Sequence, residues 1–185
     1  MNMVMHAPKA ASAASTRIFE RKSSYNYEAL LAFGNREFGS DIPAPPLPPM
    51  LMLHRITEIS GMGGLYDRGF AIAEYDVKPE DWFFQCHFKE DPIMPGMLGA
   101  DALEQLLGFF LGWLGARGKG RARGFGAGAF VKEIVPTTGT IQLRVDVKRH
   151  LLNNKRMSTI LGDGKITQGS TIFMTVPELK VIVVP

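Results

Sequence analysis

The feature that most restricts how this chain can fold is an apolar run from Met94 to Ala116 carrying only two charges, Asp101 and Glu104. Leu98, Asp101, Ala102, Gln105, Leu106, Phe109 and Phe110 recur at three- and four-residue spacing, which predicts a helix. Its other face holds Leu103, Leu107, Leu111 and Trp113, so the helix must be buried nearly all round. The uncharged part, Gln105 to Ala116, falls short of the roughly 20 apolar residues that a membrane span needs. A helix without a solvent face needs other elements wrapped around it.

Strands supply that wrapping. Met50–Ile59 and Leu65–Val77 read as strands separated by a Gly-Met-Gly-Gly break. Ile141, Leu143, Val145 and Val147 alternate with polar residues, the pattern of a half-buried strand. Asp163-Gly164 reads as a hairpin turn between Met157–Leu161 and Lys165–Val176, and Leu179–Val184 as a closing strand. Before them, Asn26 caps a short helix that ends at Gly34, and five prolines between Pro43 and Pro49 form an extended arm. The stretch Gly115–Gly128 reads as a flexible, basic link. The expectation is an α+β domain over residues 25–185, an antiparallel sheet of about six strands wrapped around one long buried helix. Residues 1–24 read as a flexible tail.

Charge narrows the function. The net charge of +3 sits entirely in residues 1–24, and from residue 25 onward 17 basic residues face 17 acidic ones. A nucleic-acid role has no electrostatic support. With one cysteine, Cys86, no intrachain disulfide can form. Cys86 and His87 are adjacent, but His6, His54 and His150 form no zinc spacing with them. The stretch GARGKGRARGFGAG satisfies neither the phosphate-loop nor the dinucleotide pattern.

The unusual chemistry lies in CHFKEDPIMPGMLGAD. A histidine in an aromatic stretch precedes a Pro-Gly turn and a helix. Asp101 then lies one to two turns inside that apolar helix, where an ionisable group must be paired or change its proton affinity. His87 and Asp101 are therefore a candidate acid–base pair. The plainer readings are a satisfied core histidine and a carboxylate favoured by the helix dipole.

The segment WFFQCHFKEDPIMPGMLGADALEQLLGFFLGWLGARGKGRA closely resembles the bacterial 3-hydroxydecanoyl-ACP dehydratase/isomerase family. The likeness runs from Tyr25 to the C-terminus and takes in SYNYEALLAFG, MLMLHRI and TVPELKVIVV. It implies a hot-dog fold and a cytoplasmic homodimer with its active sites at the subunit interface. His87 would come from one subunit and Asp101 from the other, with the Gly96 amide polarising the thioester carbonyl. It implies no metal or organic cofactor, since the substrate arrives on the phosphopantetheine arm of acyl carrier protein. Arg149, Lys155, Arg156 and Lys180 would form the carrier-binding patch, although ordinary solvated charge is the plainer reading of them. The implied reaction dehydrates a ten-carbon 3-hydroxyacyl-ACP to the trans-2-enoyl product and isomerises that to cis-3, in unsaturated fatty acid synthesis.

The chain departs from the family at Ala127-Gly128-Ala129-Phe130, where Glu-x-Lys-Phe is common, and at Met97, where cysteine is common. Both could alter the tunnel wall. The alternatives to a dehydratase are an acyl-thioesterase on the same fold and a non-catalytic acyl-carrier-binding subunit.

Overall fold

The computed structural model describes residues 18–185. Its central element is α2 (Gly96–Leu114), about 28 Å long at 1.5 Å per residue. Leu103, Leu106, Leu107, Phe110 and Leu111 are wholly buried. Gly115 ends the helix at φ 118°, a left-handed position that glycine takes without a Cβ clash, and its amide donates to the Gly112 carbonyl. The helix α1 (Tyr27–Gly34) starts as its sequence predicts, the Asn26 side chain accepting from the Ala29 amide at 3.0 Å.

Around α2 runs one antiparallel sheet of seven strands. They are β1 (Arg55–Ser60), β2 (Phe70–Asp76), β3 (Lys119–Gly124), β4 (Ala129–Phe130), β5 (Thr140–Leu151), β6 (Ser158–Gln168) and β7 (Thr171–Val184). The strand order is β1-β2-β5-β6-β7-β3, with β4 also paired to β7. Ala71, Ala73 and Tyr75 of β2, with Ile141, Leu143, Val145 and Val147 of β5, supply alternating buried side chains to the core. This is the expected α+β hot-dog architecture. Among the described residues, no helix is long and apolar enough to cross a membrane.

Three local expectations fail for identifiable reasons. Asp163-Gly164 is not a hairpin turn but lies inside the continuous strand β6, where the register to β7 shifts. A Cβ on Gly164 would come within 2.8 Å of Leu103 and Leu179 side-chain atoms, so glycine is there to let α2 lie close to the sheet. The actual turn is at Gly169, at φ 56° between β6 and β7. Secondly, the supposed link after α2 contains strand β3, aligned from Lys119 opposite Val184 to Gly124 opposite Lys180. Gly120, Ala122 and Gly124 alternate with basic residues and supply no large apolar side chain, the mark by which a strand is recognised. Lastly, Met50–Leu53 is buried from Leu51 onward but forms no strand. The Met52 amide goes instead to the Gln105 side chain at 3.0 Å.

The segment read as a tail divides at the limit of description. Residues 1–17 lie outside the described residues. Beyond them, Arg21 lies over the Trp113 ring, and the Lys22 carbonyl accepts from Trp113 Nε1 at 2.9 Å.

Candidate active site

His87 follows a short 3₁₀ helix, Trp82–Gln85, and its amide donates to the Phe83 carbonyl at 2.9 Å. The loop after it folds back on itself. The Ile93 amide donates to the His87 carbonyl at 2.8 Å, and His87 Nδ1 lies 3.1 Å from the Ile93 carbonyl. A carbonyl can only accept, so Nδ1 carries the hydrogen and a neutral ring keeps its lone pair on Nε2. The backbone contact thus leaves Nε2 as the accepting nitrogen of the neutral ring.

Met94 continues the path by donating to the Ile134 carbonyl at 2.8 Å, and Pro95 leads into α2. Proline precedes the helix and glycine takes its first position. Leu98 bonds back to Pro95, whereas no acceptor meets the Gly96 amide among the described residues. Unsatisfied amides and the helix dipole favour developing negative charge at this point. His87 and Gly96 line one cavity of about 610 Å³ together with Met97, Phe130, Phe173 and Met174.

Asp101 is not in that cavity. It lines a separate one of about 130 Å³, with Pro43–Pro46 of the proline arm, Glu104, Gln105 and Arg121. So the structure brings His87 and Gly96 together within a chain and places the carboxylate elsewhere. Beside Asp101 runs β3, which among the described residues pairs with β7 alone and leaves its other edge open.

Two residues around Asp101 were not singled out from sequence. Gln105 is buried and its amide is fully used. It accepts from Met52, donates to the Met50 carbonyl at 2.8 Å and donates to Asp101 Oδ2 at 2.7 Å. A glutamine four residues after an aspartate on an apolar helix was the available signal. Glu104 has a buried Oε1 with no partner among the described residues. Burial pushes its carboxyl above the usual range, the nearby Asp101 carboxylate adds to this, and the Gly124 backbone opposes it.

Of the expected carrier-binding residues, Arg149 of β5 and Lys180 of β7 flank Leu161 of β6, each paired in register with it, so one strand separates them. They line a surface cavity of about 500 Å³ with Arg123, Leu151 and Met157. Lys155 and Arg156 are exposed in the connection between β5 and β6. Arg123 was missed because it belongs to the stretch read as a link. Of the residues expected at the tunnel wall, Met97 and Phe130 line the cavity with His87, while Ala127 lines a different one.

Comparison with known proteins gives a family match over residues 45–176, described as the FabA-like domain. Among solved structures, one similar chain belongs to the dehydratase heterocomplex ApeI:P from Xenorhabdus doucetiae. It is 20% identical with a TM-score of 0.49, over 76% of this chain and 87% of that one. Another is AziG from S. sahachiroi, 11% identical with a TM-score of 0.47, over 70% of this chain and 89% of that one. Both likenesses are remote and carry no weight in assigning a reaction or an assembly.

Proposed function

We propose a function from one premise: the chain belongs to the FabA-like domain family. It dehydrates 3-hydroxyacyl thioesters delivered by acyl carrier protein, with a ten-carbon substrate and a subsequent trans-2 to cis-3 isomerisation as the finer reading. The observation that carries this is the pairing of a histidine with Nδ1 committed to Ile93 and an unpartnered helix-start amide in one cavity.

The chemistry follows from those groups. His87 Nε2 takes a proton from C2 of the acyl chain, and the charge that builds on the thioester oxygen is met by the Gly96 amide. The C3–O bond then breaks as C2=C3 forms, and the hydroxyl leaves as water with a proton from a carboxylic acid. Asp101 is that acid. Since it lines a different cavity from His87 in its own chain, a second copy supplies it, joined along the open edge of β3. Isomerisation uses the same pair to move a proton from C4 to C2. This acid–base route calls on no metal or organic cofactor. Arg123, Arg149, Lys155, Arg156 and Lys180 offer positive charge to an acidic carrier, beside exposed Leu151 and Met157.

The deciding experiment incubates 3-hydroxydecanoyl-ACP with the protein and its His87→Ala variant. It follows the acyl products by mass spectrometry and free carrier thiol by trapping. Enoyl-ACP formed by the parent chain and absent with the variant is expected. Release of carrier thiol would identify a thioesterase, and no turnover would leave a binding subunit.

A further inference from the structure

Gly96 does more than lack a side chain for the substrate's benefit. Its φ lies outside the left-handed region, so the backbone does not demand glycine there. What excludes a side chain is Phe130, because a Cβ at position 96 would come within 3.0 Å of Cε1, Cδ1 and Cζ of that ring. The ring thus lies on the first residue of α2, beside the amide that the proposed reaction requires.

Phe130 is held lightly. It is 63% exposed, and among the described residues it stacks on no other aromatic ring. Its strand β4 has two residues, Ala129 paired with Thr175 and Phe130 with Met174; the Gly126 amide donates to the Pro177 carbonyl and the Val131 amide to the Phe173 carbonyl, so the ring and not the backbone is free to turn. The approach to it reads Gly124-Phe125-Gly126-Ala127-Gly128-Ala129, so Phe125 is the one large side chain in the six residues before it. An exposed apolar ring that lines a large cavity gains by covering an apolar ligand.

We propose that Phe130 is a positioning residue of the thioester subsite: its ring covers Gly96 in the free chain and turns aside to flank the thioester when the carbonyl takes the Gly96 amide. This rests on the reading of Gly96 given above. In the free state the ring keeps the subsite closed, and in the bound state it presses the acyl group towards His87.

The test uses the full chain with isotopically labelled glycine. In the free protein the Phe130 ring current should displace the Gly96 Hα resonance upfield, and Phe130→Leu should abolish that displacement. Saturation with an acyl-pantetheine amide, which keeps the carbonyl and cannot react, should remove the displacement in the unmodified protein and move the Gly96 amide downfield. Binding with the ring-current shift retained would overturn the proposal alone. Failure of the analogue to bind would overturn the thioester reading and the proposal with it. Kinetics supply a second measure on a short thioester substrate. Phe130→Leu should lower kcat by up to about 100-fold, as expected when a reacting group is misplaced by about 1 Å, with a smaller change in KM. Phe130→Tyr should recover most of the rate. Unchanged kcat in Phe130→Leu would overturn the proposal.

Discussion

Gln105 Nε2 donates to Asp101 Oδ2 at 2.7 Å while Gln105 Oε1 accepts from the Met52 amide at 3.0 Å. One buried side chain therefore ties the candidate acid to the strip of chain that follows the proline arm. With Oδ2 engaged, Oδ1 is the oxygen left to face a substrate. Gln105→Leu strands the buried Met52 amide and should cost about 1–3 kcal/mol of stability, read as a lower urea midpoint. Gln105→Glu keeps an acceptor for Met52 but loses the donor to Asp101. It should harm dehydration far more than its stability would explain. Proportionate losses in both variants would mean that Gln105 serves the fold alone.

Separate cavities for His87 and Asp101 make a prediction about assembly. Mixing the inactive His87→Ala and Asp101→Ala proteins under conditions of subunit exchange should restore part of the activity. A mixed dimer would contain one intact site. Exchange demonstrated by mass spectrometry without recovered turnover would contradict a shared site.

The basic surface predicts how the substrate is presented. Reversing Arg149, Lys155 and Arg156 to glutamate should lower turnover on carrier-bound substrate and spare a short pantetheine thioester. The effect should shrink at high salt, because these side chains are exposed. An equal loss on both substrates would point to damage inside the site.

Away from the site, Arg55 grips both carboxylate oxygens of Asp76 at 2.7 and 2.8 Å. That hydrogen bonding holds the Asp76 carboxyl down from 3.8 to about 2. Between those two values the unfolded chain binds more protons at this group than the folded one, so stability rises with pH there. The contribution is complete above 3.8 and is lost as pH falls through about 2. Since the Asp76 side chain is 35% exposed, the effect should be modest and should weaken with salt. Asp76→Asn should show a shallower loss of urea midpoint on acidification than the parent protein. Parallel curves would assign the acid sensitivity to other groups.

Residues whose structural signal is local were legible in the sequence, and those governed by distant partners were not. The buried helix was legible because its apolar character extends all round, and Asn26 because a cap acts on the next few residues. His87 and Gly96 stood out through a continuous motif. By contrast, Asp163-Gly164 imitates a turn, and only the approach of Leu103 and Leu179 explains the glycine inside a strand. β3 was hidden because its glycines and alanine offer no large apolar face, its pairing being set by a β7 about 60 residues away. Gln105 was hidden for the same reason. Its two backbone partners, Met50 and Met52, lie more than 50 residues earlier.

The lining of the larger cavity permits a prediction about chain length. Gly99 lines that cavity, and a Cβ there would come within 3.0 Å of Ile166 Cδ1 and Met174 Cε. Both neighbours are side-chain ends, so Gly99→Ala should fold, with the flexible Met174 yielding rather than the helix. Met174 also lines the cavity, so its displaced end takes volume from an acyl chain. The variant should keep activity on four-carbon 3-hydroxyacyl thioesters and lose it progressively on longer ones. One methylene of misfit in an apolar pocket discriminates by about 10- to 200-fold. The measurement is kcat/KM across a series of chain lengths for the parent and Gly99→Ala. A uniform loss at every length would put the acyl chain somewhere other than against Met174.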